Sequence, residues 1–183
     1  MASNDGGVNE AEFRDAVDAN YERKAPDLSK TLNIVVVGKV SSGKSSLINA
    51  FLRRSREDPV AVVGARSGVT TRLQIFKLDE HVCVIDSPGL DDVEQENSEV
   101  TRAFLEAIDV GILVVTGSVD GSQKKHVELL RARCKRVFVV LNKIDSLWDE
   151  LKSPAEVAAE IARQVDTCAW TLDLPAAQIF PVS

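Results

Sequence analysis

Residues 38 to 46, Gly38-Lys39-Val40-Ser41-Ser42-Gly43-Lys44-Ser45-Ser46, set two glycines five positions apart and follow the second with a lysine and a hydroxyl. Those types at that spacing suit the cradling of a phosphate chain. The glycines let the backbone bend until successive N–H groups point at phosphate oxygens, and a helix opening just behind them adds its partial positive charge. Lys44 would reach the β and γ phosphates, and the Ser45 hydroxyl would suit Mg²⁺. A Gly/Ser turn with no ligand is the competing reading. The setting speaks against it, because the loop lies between the strand-like run LNIVVV and the helix-like run LINAFL.

Two further groups stand downstream. Asn142-Lys143-Ile144-Asp145 follows the apolar run VFVVL, at the carboxyl end of a strand, where open α/β sheets bind their ligands. A carboxylate at Asp145 can accept hydrogen bonds from the N1–H and the exocyclic N2 amine of guanine, and adenine has neither donor. Asn142 can bond the base edge or brace the phosphate loop, and the alkyl stem of Lys143 can lie over the ring. The alternative for NKID is a helix N-cap, since Asp145 precedes a serine. Asp86-Ser87-Pro88-Gly89 closes another apolar run. Its carboxylate can hold Mg²⁺ through a water and Gly89 can offer an N–H to a γ phosphate, against the plainer reading of a Pro-Gly turn.

The elements that must position these groups are legible in the hydropathy. Strands are expected at 32–37, 73–78, 81–85, 110–115, 136–141 and 178–182, with helices at about 44–54, 98–107, 123–133 and 154–168. Runs such as IVVV, ILVV and VFVV are apolar on both faces, as parallel strands covered by helices on both sides must be. The fold class is therefore α/β in three layers, a mostly parallel six-stranded sheet with one antiparallel edge strand. That strand is 73–78, joined to 81–85 across Asp79-Glu80. Ahead of the sheet, residues 1–9 read as a flexible tail, and Phe13, Val17 and Tyr21 recur at helical spacing before Pro26, so 10–30 reads as a helix and linker and 31–183 as the main domain. The long segment 54–72 has the length of a functional loop.

Gly38 to Ser45, Thr70-Thr71-Arg72, Asp86 to Gly89 and Asn142 to Asp145 together resemble the P-loop GTPases of the translation-factor class, over residues 32 to 183. GKVSSGKSSLINAFL, VTTR, DSPGL and NKID most resemble the Era-like and dynamin-like branch. The resemblance implies a P-loop NTPase fold that binds GTP or GDP with Mg²⁺ and hydrolyses GTP, with loops 54–72 and 89–99 ordered by the γ phosphate. It implies that Thr71 closes on the magnesium, with Thr70 in reserve, beside Ser45 and Asp86. It also implies that a guanine-contacting Ser-Ala loop begins at Ser183 and that a helix follows the last strand. Nothing follows Ser183 in the sequence, so two expectations stand: a domain continued in a longer chain, or the helix from Glu10 to Lys24 covering the exposed face. Leu90 replaces the water-orienting glutamine of Ras-like enzymes. Ser41 sits where potassium-activated relatives carry Asn and dynamin-like ones Ser, so K⁺, or a second copy across the nucleotide face, is the implied aid to catalysis by Lys44, Ser41 and Thr71. The rival class is a GTP-binding interaction module with little hydrolysis.

Composition narrows the remaining classes. A formal charge of −6 over 183 residues argues against an extended nucleic-acid surface, and any polyanion contact would be local. Lys124 to Arg136 carries six basic residues against one Glu, the pattern of a solvated helix face, with an acidic partner, RNA or an anionic membrane surface as the alternatives. Cys83, Cys134 and Cys168 have no paired spacing, which argues against a disulfide framework and against a zinc site. Cys83, inside HVCVID, is expected in the core. No apolar run approaches the roughly 18 residues of a membrane span, and the acidic start lacks a targeting pattern, so a cytoplasmic location is expected.

Overall fold

β1 (Leu32–Val37) enters at the centre of a six-stranded sheet and carries valine on both faces. The computed structural model describes residues 30–54, 74–86 and 107–183. The expected helix over 10–24, the loop 54–72 beyond Arg54 and the helix near 98–107 up to residue 106 lie outside the described residues. After β1 come α1 (Lys44–Phe51), β2 (Gln74–Lys77), β3 (Val82–Asp86) and β4 (Val110–Thr116). Then follow α2 (Gly121–Arg133), β5 (Arg136–Asn142), a 3₁₀ turn (Ile144–Leu147), α3 (Pro154–Leu172) and β6 (Ile179–Pro181).

The strand order is β2-β3-β1-β4-β5-β6. β1 pairs in parallel with β3 and β4, β4 with β5, and β5 with β6, while β2 is the one antiparallel strand, at the edge. That edge was expected from the Asp79-Glu80 turn, and Asp79 Oδ1 shapes it by accepting from the N–H groups of His81 and Val82 at 2.7 and 2.9 Å.

Alternation along β1 divides the core. Val35 and Val37 join Val127, Leu130, Cys168 and Leu172 under α2 and α3, and Val36 joins Ile48, Val84 and Val114 under α1. Each such fully buried aliphatic side chain contributes about 1.5–3 kcal/mol. Both layers are needed, because either alone leaves one valine face of β1 in water. Cys83 is fully buried on β3, as its apolar neighbours predict.

Three helix ends differ from the expected ones. α1 stops at Phe51 instead of near residue 54, because Arg53 takes a left-handed φ of 53° and the N–H of Arg54 closes back on Asn49 O at 2.8 Å. α2 starts two residues early, where Asp120 and Gln123 form a reciprocal capping box. α3 runs past 168 to Leu172, since Leu172 still has core to bury, and ends at Asp173 with φ 54°.

Candidate nucleotide site

Strand order reverses at β1, which has β3 on one side and β4 on the other, and the crevice at such a reversal is where open α/β sheets hold ligands. The loop from Gly38 to Gly43 leaves the carboxyl end of β1 there and feeds α1. Gly38 has φ 153°, and a Cβ on it would lie 2.3 Å from the carbonyl oxygen of Val114. Gly43 has φ 97°, and a Cβ there would lie 2.1 Å from Asn142 Nδ2. Both glycines are thus required by backbone angle and by contact. No side chain caps α1 at Gly43, and its first helical bond is from Leu47 N–H to Gly43 O at 2.9 Å. The N–H groups of Lys44, Ser45 and Ser46 precede that bond at the positive end of the helix.

The NKID segment is tied to this loop. Asn142 Nδ2 donates to Ser42 O at 2.9 Å and Lys143 Nζ donates to Ser41 O at 3.0 Å. Of the two roles open to Asn142, the structure displays the brace. Asn142 Oδ1 also accepts from Lys143 N–H at 2.9 Å, which supports the left-handed φ of 64° at Lys143 and turns the chain into the 3₁₀ segment. Asp145 stands exposed in that segment, beyond the end of β5. Ile144 N–H donates to Val182 O at 3.2 Å, so the residue next to Ser183 is held beside Asp145's turn.

Lys44 Nζ donates to the carbonyls of Gly38 and Lys39 at 2.8 and 3.0 Å, folded back over its own loop. Burial lowers its pKa from the usual lysine value, with the charge of Asp86 opposing. Asp86, at the end of β3, is 2% exposed, and its Oδ1 has no hydrogen-bond partner among the described residues. Burial raises its pKa, and the Lys44 cation pulls it back. A buried carboxylate oxygen with no donor, opposite a lysine and near the opening of α1, is the environment that a cation would complete. Among the described residues there is no group of three or more His, Cys, Asp or Glu side chains that could form an all-protein metal cage.

The structure therefore gathers Gly38, Ser41, Ser42, Gly43, Lys44, Asp86, Asn142 and Lys143 by contact or charge, with Lys39, Val40, Ser45 and Ser46 on the same loop and helix start. Ser41, exposed with φ 62°, turns its carbonyl to Lys143. Thr70, Thr71 and Gly89 lie outside the described residues. One residue was missed by the motif reading: Asp120, the cap of α2, whose Oδ2 pairs with Lys39 Nζ at 2.6 Å and whose pKa falls well below the carboxylate range through that bond. The Asp-x-x-Gln capping pattern was visible, but nothing in sequence separation links it to Lys39.

The sequence model of a family described as 50S ribosome-binding GTPase matches residues 33–143. The tRNA modification GTPase MnmE of Campylobacter jejuni subsp. doylei is 35% identical over 127 residues, covering 64% of this chain and 28% of MnmE. GTPase Der of Nitratiruptor sp. is 27% identical over 165 residues, covering 84% of this chain and 34% of Der. The chain thus spans about a quarter to a third of the length of these curated relatives. Among solved structures, the bacterial dynamin GTPase LeoA from ETEC has a TM-score of 0.59 at 22% identity, covering 96% of this chain and 32% of LeoA. Era, in complex with MgGDPNP and a 16S ribosomal RNA segment, has a TM-score of 0.55 at 23% identity, covering 84% of this chain and 51% of Era. These two likenesses concern the fold.

Proposed function

Because the chain belongs to the 50S ribosome-binding GTPase family, we propose that it binds guanine nucleotides and hydrolyses GTP to GDP and phosphate as a slow switch. The observation that carries this reading is the brace of Asn142 and Lys143 on the carbonyls of Ser42 and Ser41, which makes the phosphate loop and the base-reading turn one body. Asp145 accepts from the guanine N1–H and N2 amine. The loop N–H groups from Gly38 to Ser46 take the phosphates, and Ser183, next to Val182, lies toward the base side. When phosphates arrive, Lys44 exchanges its two carbonyl partners for phosphate oxygens, and its cation offsets the charge that builds on the leaving side.

The Ser45 hydroxyl and Asp86 would hold Mg²⁺, with Thr71 or Thr70 from the loop 54–72, and the ion would supply charge neutralisation at the β and γ phosphates. Leu90 offers no hydrogen bond to an attacking water, so intrinsic turnover is slow, on the order of 10⁻⁴ per second. Acceleration comes from a second copy across the nucleotide face or from K⁺ near Ser41.

The test is a titration with fluorescent GDP and ATP analogues, wild type against Asp145→Asn. GDP binding that the variant loses by about tenfold or more, with no ATP binding, supports the reading; ATP binding that survives the substitution overturns it. Turnover measured at several protein concentrations, with and without K⁺, then decides between the switch and a GTP-binding interaction module that hydrolyses nothing.

A further inference from the structure

We propose that Asp120, at the start of α2, is a positioning residue of the phosphate loop and acts through Lys39. Lys39 Nζ donates to Asp120 Oδ2 at 2.6 Å, across 81 positions of sequence. Lys39 is the second residue after β1, and Asp120 stands four residues beyond the end of β4, the strand beside β1. The pair therefore ties the loop to the neighbouring strand's exit, on the side away from β3.

Asp120 is a fixed point. Its Oδ1 accepts from Ser122 N–H at 2.9 Å and from Ser122 Oγ at 2.6 Å, and its own N–H donates to Gln123 Oε1 at 2.7 Å. Gln123 is buried, and Val127 and Leu130 anchor α2 in the core. None of these capping contacts uses Oδ2, which is the oxygen left to face the loop. Lys39 carries that fix into the cradle through its own carbonyl, which accepts from Ser42 N–H at 3.2 Å and from Lys44 Nζ at 3.0 Å. The phosphate-binding lysine thus rests on a residue whose side chain is tethered to α2.

On the other flank, Asn142 and Lys143 hold the carbonyls of Ser42 and Ser41. The loop is pinned from the β4 side and from the β5 side, and a loop already held in its binding shape spends less on ordering when a ligand arrives. That the ligand is a polyphosphate rests on the GTP-binding reading above. Charge separates position from simple attraction. Asp120 is an anion beside a site for anions, so by Coulomb's law alone it opposes binding, and any gain from it must come through the shape of the loop. The two side chains are 49% and 58% exposed, and an exposed pair adds little to the stability of a whole chain, so the effect is local to the loop.

The test compares the full chain with Asp120→Asn, Lys39→Met and the double variant. Asparagine still accepts from Ser122 N–H, so α2 keeps its cap. Two readouts are taken: amide exchange by NMR on the nucleotide-free protein, and the affinity for a fluorescent GDP analogue. The Ser42 amide should exchange at least about twofold faster in each variant, while those of Val127 and Leu130 stay as they were. GDP affinity should fall about two- to fivefold in each single variant, and the double variant should be no worse than either. Tighter GDP binding by Asp120→Asn overturns the proposal, because charge and not position would then govern. Losses that multiply in the double variant overturn it too, as does a Ser42 amide that exchanges at the wild-type rate. Faster exchange throughout α2 overturns it by tracing the effect to the cap. If the wild type binds no GDP, the GTP-binding reading fails, and the Ser42 amide alone decides whether Asp120 positions the loop.

Discussion

Replacing Gly43 with alanine puts a methyl group where the structure has Asn142. The new Cβ would lie 2.1 Å from Asn142 Nδ2, well inside contact, at a residue whose φ is 97°. Holding an L-residue in the left-handed region costs about 1–2 kcal/mol. Asn142 must then move by more than an ångström, which breaks its 2.9 Å bond to Ser42 O, worth about 1 kcal/mol, and forces an off-rotamer side chain for about another 1 kcal/mol. The combined loss is about 3–4 kcal/mol, or roughly 6–16 °C in Tm for a chain of this size. Urea denaturation of the nucleotide-free protein, followed by circular dichroism, measures it. The contact itself is isolated by a double-mutant cycle. Asn142→Ala opens the space that the methyl group needs, so Gly43→Ala should cost about 1–2 kcal/mol less in that background. Additive losses would refute the reasoning, because they would mean that Gly43 and Asn142 do not compete for one volume.

Asp86→Asn should raise the Tm of the nucleotide-free protein by about 2–4 °C at neutral pH, since burial disfavours the charged carboxylate more than Lys44 favours it. The folded-state pKa is raised, so the native state binds the extra proton. Stability therefore falls as pH rises from the ordinary carboxylate range through the folded value, and that limb should vanish in the variant. In the native protein at pH 8, a disulfide reagent should modify fewer than about 0.1 of the three cysteines. Cys83 is fully buried, and burial raises Cys134 and Cys168 to about 11 each; all three should react in denaturant. Ser153→Ala removes the box in which Ser153 Oγ accepts from Glu156 N–H, and thermal melts should show a loss of about 2–4 °C.

Strands and most helix positions were readable because buried parallel strands have few ways to look. IVVV, ILVV and VFVV admit water on neither face, and each became an interior strand. Helix ends were less readable, since Arg53 and Asp173 stop their helices in left-handed conformations with no glycine to announce it. The two glycines of the phosphate loop and the lysine after them carried their own reasons. The brace of Asn142 on the phosphate loop was one of two roles open to it in sequence, and the structure displays it; the tie of Lys39 to Asp120 was not legible, because a contact between residues about eighty apart follows from strand order, which local pattern does not encode.

The brace between Asn142 and the phosphate loop also bears on biosynthesis. The loop motif leaves the ribosome about a hundred residues before the side chain that holds it in shape, and β4 and β5 must pair before that side chain can arrive. A nascent chain halted short of Asn142 therefore carries the GKVSSGKSS sequence without the closed cradle. On the proposed function, nucleotide capture would then be a late event in synthesis, timed by the contact between Asn142 and the loop.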